Sequence, residues 1–240
     1  MKLDILVFAA HPDDAELSCS GTIAKYKTEG RKVGVVDLTR GELGTRGTAE
    51  IRDEEAATAT KILNLDVREN LCMKDGFFRN DEVHQLQIIQ KIRQYQPEII
   101  LANALYDRHP DHGKAGQLIN EAVFLSGLPK IKTELNQVSQ DAWRPRLLLQ
   151  FIQDAYIQPD IIIDITEHWE TKMASIQAFG SQFFSANYNS EEQQTYISTL
   201  EFVHIIEGRA RELGKHIGAR YAEGFTSKKL LGVNDLFNLR

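Results

Sequence analysis

The chain has 240 residues, of which 42% are hydrophobic, and a formal net charge of −6. That length is enough for one core-bearing domain over residues 1–240, and that composition excludes global disorder. The acidic balance excludes a general nucleic-acid binder, whose affinity rests on basic residues at phosphates.

Residues 3–10 (LDILVFAA) form an apolar run with β-branched members and predict a first strand. The run carries Asp4 and leads into an acidic motif, not a cleavage site, so it does not read as a signal peptide. A helix is expected from about Asp14 to Glu29, with Gly30 placed to stop it. Residues 32–39 (KVGVVDLT) predict a second strand. A loop spaced by Gly41, Gly44 and Gly47 follows and reads as a flexible active-site loop. Thr48 can cap the next helix, with Glu50 in its first turn. Residues 67–71 read as a short third strand. Val83, Leu86, Ile89 and Ile92 mark one face of a further helix.

Residues 98–105 (EIILANAL) predict a fourth strand. Beyond the loop at 106–112, Ala115, Leu118, Ile119, Ala122 and Val123 recur at helical spacing. Residues 129–145 are irregular and polar, a surface excursion. Residues 146–152 and 160–166 read as later strands. The C-terminal third is expected to be mostly helical, with Val203, Ile206, Ala210, Leu213 and Ile217 on one stripe. No run approaches the length of a membrane span. Two cysteines, Cys19 and Cys72, are too few for a stapled secreted scaffold and point to a reduced, cytoplasmic setting.

Strands alternating with helices predict a Rossmann-like three-layer α/β domain, its mostly parallel sheet ordered 3-2-1-4-5. In that order the first and fourth strands are neighbours, and ligands bind at the crevice beyond their carboxyl ends. His11-Pro12-Asp13-Asp14 follows the first strand and His109-Pro110-Asp111-His112 follows the fourth. Topology alone therefore brings the two runs together.

Hydrolytic zinc sites commonly use histidines and a carboxylate and keep a position for water. His11 and His112 supply the imidazoles, and Asp13 or Asp14 the carboxylate. The other carboxylate can take a proton, and His109 can stabilise an oxyanion or protonate a leaving amine. Asp111 can hold His109 in one tautomer and favour its charged form. Each HPD run alone is an ordinary turn; the pairing of the two favours a metal site. His84, His168, His204 and His216 lack such company. The 2-His-1-carboxylate triad of non-haem iron oxygenases shares the spacing, although an α/β pattern argues against it. A non-catalytic sugar or nucleotide binder is the rival of another class, but the glycines are spaced G-x-x-G-x-x-G and follow the second strand.

At AHPDDAE (10–16) and DRHPDH (107–112) the chain resembles the PIG-L/LmbE-type zinc-dependent deacetylases of N-acetylglucosamine conjugates. It is similar to their bacillithiol-biosynthesis branch over nearly the whole chain, in DLTRGEL (37–43), RDEEA (52–56), GSQF (180–183) and YAEGFTSKK (221–229). The resemblance implies one Zn2+ per subunit, or another divalent metal, on His11, Asp14 and His112. It implies Asp13 as general base, His109 as oxyanion stabiliser, as imidazolium or as neutral ring, and possible acid, Asp111 as its support, and Arg52 at the substrate. The branch implies hydrolysis of N-acetylglucosaminyl-malate, with another N-acetylglucosamine or thiol conjugate as the alternative. It also implies a small-molecule sugar conjugate as partner and a homo-oligomer, trimer or hexamer. Two malyl carboxylates suit the planar fork of arginine, which brings in Arg108 beside Arg52. Arg46, Lys228 and Lys229 carry no assigned role.

Overall fold

The computed structural model describes residues 1–184 and 193–239. In chain order the elements are β1 (Ile5–Ala9), α1 (Asp14–Thr28), β2 (Val33–Asp37), α2 (Ala49–Ile62), β3 (Val67–Asn70), α3 (Glu82–Tyr95), β4 (Ile99–Asn103) and α4 (Pro110–Ser126). A small hairpin of β5 (Glu134–Leu135) and β6 (Val138–Ser139) follows. Then come β7 (Leu147–Phe151), β8 (Ile161–Asp164), α5 (Trp169–Gln177), α6 (Leu200–Ile217) and β9 (Ala222–Thr226).

Seven strands form one sheet in the order β3-β2-β1-β4-β7-β9-β8. The pairs from β3 to β7 are parallel, and β9 pairs antiparallel with both β7 and β8. The expected parallel order holds through its fifth strand, β7. The C-terminal third departs from expectation: AEGFT at 222–226 is a strand, inserted between the two preceding strands of the chain. Glycine and glutamate are poor strand formers, so this pentapeptide carries no strand signature of its own. The 129–145 excursion contains the β5–β6 hairpin.

The sheet is covered on both faces. Along β1, Leu6 and Phe8 pack with Ile88, Ile92, Leu118 and Ile119 of α3 and α4, whereas Ile5, Val7 and Ala9 pack with Ala15, Cys19 and Ile23 of α1. This is the period-2 alternation of a strand buried on both sides. A third apolar cluster joins α2, α5 and α6 through Ala59, Ile176 and Phe202. Two helix faces differ from the sequence pattern. In α3 Val83 is 66% exposed, and Ile88 joins Ile89 and Ile92 inside. In α6 Phe202, Ile206 and Ala210 face the core. Among the described residues no helix is long and apolar enough to cross a membrane.

Strands β1 and β4 lie side by side in register, Phe8 opposite Ala102. Both chains leave the sheet at the same end, on either side of the crossover point. Asn103, fully buried at the end of β4, ties the exits together: its Oδ1 accepts the Ala10 N–H at 2.9 Å. Gly116 lets α4 press on this exit, since a Cβ there would sit 2.5 Å from the Ala104 carbonyl oxygen.

Candidate active site

The two histidine runs meet at the carboxyl ends of β1 and β4. The ring centroids of His11, His109 and His112 lie 4.9, 5.0 and 5.6 Å apart. They line a cavity of about 420 Å3 together with Asp13, Asp14, Arg52, Asp75, Arg108 and Asp111. The eight residues given catalytic, metal-binding or substrate roles from the sequence thus line one cavity, with Gly41 and Gly44 of the glycine loop but not Gly47.

Asp14 opens α1 and lies between two imidazoles, its Oδ1 3.2 Å from His112 Nε2 and its Oδ2 3.6 Å from His11 Nδ1. Gln153 Nε2 donates to Asp14 Oδ1 at 2.6 Å, and Asn103 Nδ2 donates to Oδ2 at 3.2 Å. Burial opposes its charge, but His112 and His11 hold it well below the usual carboxylate range. The remaining ring nitrogens are also engaged. His112 Nδ1 lies 2.6 Å from Asp107 Oδ2, and His11 Nε2 lies 3.0 Å from Asp75 Oδ1 and 3.5 Å from Asp111 Oδ2. Such outer carboxylates orient a histidine that ligates metal through its other nitrogen.

The donor set suits a divalent cation. The imidazoles and carboxylates converge, and the carboxylates demand positive charge. Against the pull of burial, they keep His11 protonated well above its ordinary range and push His112 up to about 9. Candidate ligand atoms of His11, His109 and His112 lie within 4.8 Å of one another, as do those of His11, Asp75 and Asp111. His11 and His112 are common to the histidine cluster and to the set expected with Asp14.

Asp13 has a different environment. It is the residue before α1, with φ 116° and ψ −26°, a left-handed backbone rare outside glycine. Burial pushes its carboxyl up to about 7, against the pull of Arg52, whose Nη1 stands 3.9 Å away. Arg52 is itself buried; its Nη2 donates to Gln182 Oε1, and its Nε has no partner among the described residues. The glycine loop wraps this side chain. At Gly41, where φ is +65°, a Cβ would come within 2.1 Å of Arg52 Nη1, and at Gly44 within 3.0 Å of Nη2. The loop does line the cavity, but these two glycines serve close approach to Arg52.

His109 caps α4, and its Nδ1 accepts the Asp111 backbone N–H at 3.2 Å. The proton of neutral His109 therefore belongs on Nε2. Burial, followed by the charges of His11 and His112, lowers its pKa, which favours that neutral form. The Asp111 backbone N–H thus fixes one tautomer of the ring, and the expectation corrected here is the charged form: no bond joins the Asp111 carboxylate to the His109 ring among the described residues, and burial lowers the His109 pKa. That carboxylate accepts the Gly76 N–H at 2.7 Å and Lys114 Nζ at 2.8 Å and faces His11, because the first turn of α4 aims it away from its own cap. Arg108 is half exposed at the mouth, bonded to Asp154 at 2.7 Å and stacked on Tyr196.

Asp75, Asn103, Gln153 and Gln182 were not singled out from the sequence. Asp75 had a usable signal, an Asp-Gly turn leaving the third strand at the same end of the sheet. Gln182 lies in the GSQF run at 180–183, which carried the resemblance without a role for this residue; Asn103 and Gln153 contact the site across 50 or more residues of chain and leave no local pattern.

A profile of the PIG-L family, described as GlcNAc-PI de-N-acetylase, matches residues 6–123. A conserved protein of Thermus thermophilus shares the fold with a TM-score of 0.85 and 35% identity, over 96% of this chain and 97% of that one. The diacetylchitobiose deacetylase of Thermococcus kodakarensis is 29% identical over 231 residues, 92% of this chain and 81% of its own length. The 4-oxalmesaconate hydratase of Pseudomonas putida is 29% identical over 203 residues, 74% of this chain and 73% of its own.

Proposed function

We propose that this chain, which belongs to the PIG-L family of de-N-acetylases, hydrolyses N-acetylglucosaminyl-malate to glucosaminyl-malate and acetate, a step of bacillithiol biosynthesis. The observation that carries this reading is the convergence of His11, Asp13, Asp14, His109 and His112 on one cavity beside Arg52 and Arg108.

His11, Asp14 and His112 would hold a divalent ion, zinc by family, with iron or cobalt suited to the same donors. When bound, the ion polarises the acetamide carbonyl and makes a water acidic near neutral pH. Asp13 takes a proton from the attacking water. A carboxyl titrating near neutrality suits that task, and it can return the proton to the departing amine. Neutral His109 offers its Nε2–H to the carbonyl oxygen as that atom gains negative charge. Asp111 supports His109 through its backbone N–H, and supports His11 through its carboxylate. Arg52 and Arg108 meet the carboxylates of the aglycone: a buried guanidinium with a spare donor, and a second one at the mouth.

The enzyme acts in the cytoplasm, in keeping with two unpaired cysteines, and as a homo-oligomer, a trimer or hexamer. Leu230 and Phe237 are 95% and 96% exposed, apolar surface that another copy would cover.

The test is acetate release by the metal-loaded protein from the malate conjugate, diacetylchitobiose and UDP-N-acetylglucosamine, beside hydration of 4-oxalmesaconate. The highest kcat/KM is expected on the malate conjugate. A preference for diacetylchitobiose would remove the role given to the arginines. Hydration without acetate release would overturn the deacetylase assignment.

A further inference from the structure

Helix α1 carries Asp13 and Asp14 at its start, and a buried ion pair from distant parts of the chain grips its middle. Lys172 of α5 and Glu223 of β9, each 3% exposed, meet at 2.7 Å. The two oxygens of Glu223 accept the backbone N–H groups of Gly21 at 2.9 Å and Thr22 at 2.7 Å. Lys172 Nζ donates to the carbonyls of Leu17 at 2.8 Å and Glu16 at 3.3 Å. In a regular helix the Gly21 N–H goes to the Leu17 carbonyl. The pair therefore engages both ends of that rung.

Helix capping does not explain this. Caps serve the unpaired groups of the first and last turns, and this rung lies in the body of α1. Burial economy does not explain it either, since well-packed apolar residues commonly stabilise as much as a buried ion pair.

The start of the helix supplies the reason. Asp13 has a left-handed backbone, with φ 116°. A non-glycine residue keeps such a conformation only where its surroundings over-determine it. The Leu17 N–H donates to the Asp13 carbonyl at 2.9 Å, and the Leu17 carbonyl is the one that Lys172 holds. From the other side, Arg68 Nη1 binds the Glu16 carboxylate at 2.6 Å. The first turn is thus held through both its backbone and its side chains.

We propose that Lys172 and Glu223 are positioning residues of the reaction: by fixing the rung between Leu17 and Gly21, they hold Asp13 in the conformation that turns its carboxylate into the site. The inference rests on Asp13 acting as the base.

Lys172→Met combined with Glu223→Gln removes both charges, so that no unpaired ion is left buried, and leaves the rung free to close as ordinary helix. Lys172→Gln combined with Glu223→Gln is the second variant, should the first fold poorly; it too leaves no buried ion unpaired. Rates on the malate conjugate are expressed per bound ion. Either variant is expected to lose about 10- to 100-fold in kcat, the scale of a small misplacement of a reacting group. KM should stay within about threefold. In an Asp13→Asn background the same two changes should cost under about threefold, because residues acting as a unit are not additive. Backbone amide exchange at residues 13–21, measured against α4, should quicken by at least about 10-fold.

An equal kcat loss in both backgrounds overturns the proposal, and so does a kcat within about threefold of wild type. Unchanged exchange at residues 13–21 overturns it as well. If the unaltered protein releases no acetate from any glucosaminide, it is the proposed function that fails. The exchange measurement then still decides whether the pair holds the helix start.

Discussion

Asp13 and Asp14 are neighbours in the chain and opposites in chemistry. Both are buried, which raises a carboxyl pKa. Asp14 has His112 and His11 on its two oxygens and stays ionised, whereas Asp13, with Arg52 at 3.9 Å as the largest charge opposing burial, rises to about 7. Environments that push two carboxyls apart assign their roles. Asp13→Asn should keep the metal and lower kcat by about 10²–10⁴, the usual scale for a general base. Metal content after chelator competition checks this; loss of the ion would mean that the two aspartates are exchanged. Arg52 is the main charge opposing burial at Asp13, so Arg52→Ala should lift that carboxyl further. With Asp13 as the proposed base, which would work ionised, the acid limb of the kcat/KM profile should then move to higher pH. His109→Ala should cost about 10²–10³ in kcat if it serves the oxyanion, and an unchanged rate would remove it from the mechanism.

Elements decide how these side chains meet. The pairing of β1 and β4 was legible in the sequence because both are continuous apolar runs ending in acidic histidine motifs, and parallel crossovers leave few topologies. Strand β9 was not legible, because its glutamate reads as surface until Lys172 and the amides of α1 are seen to take the charge. The direction of Asp111 was not legible either, since it depends on His109 being the cap of α4 rather than a residue within it. Gly116 shows how closely α4 must approach. Gly116→Ala would force a Cβ against the backbone oxygens of Asn103 and Ala104, at 2.7 and 2.5 Å. Overpacking of this kind costs about 1–3 kcal/mol, so both the melting temperature and the metal affinity should fall. Retained metal affinity at a lowered melting temperature would uncouple this contact from the site.

On the scale of the whole molecule, a mostly parallel sheet covered on both faces supplies rigidity and one end of it supplies the chemistry. The proposed ligand set joins α1 to α4 across the sheet, so an ion held by it would bind only the folded chain. At a free-ion concentration about 1,000 times Kd, that linkage contributes about 4 kcal/mol, or roughly 8–16 °C in Tm for a chain of this size. Thermal melts with zinc and with chelator measure it, and coincident melts would argue against a site spanning both helices. The most direct measurement is a zinc titration of the chelated protein, followed by acetate release from N-acetylglucosaminyl-malate. Activity should rise linearly and break at one equivalent per chain in the unaltered protein, with Asp13→Asn binding the same equivalent and remaining slow. Acetate release undiminished in the chelated protein, or none after a full equivalent has bound, would contradict a metal-dependent deacetylase at His11, Asp14 and His112.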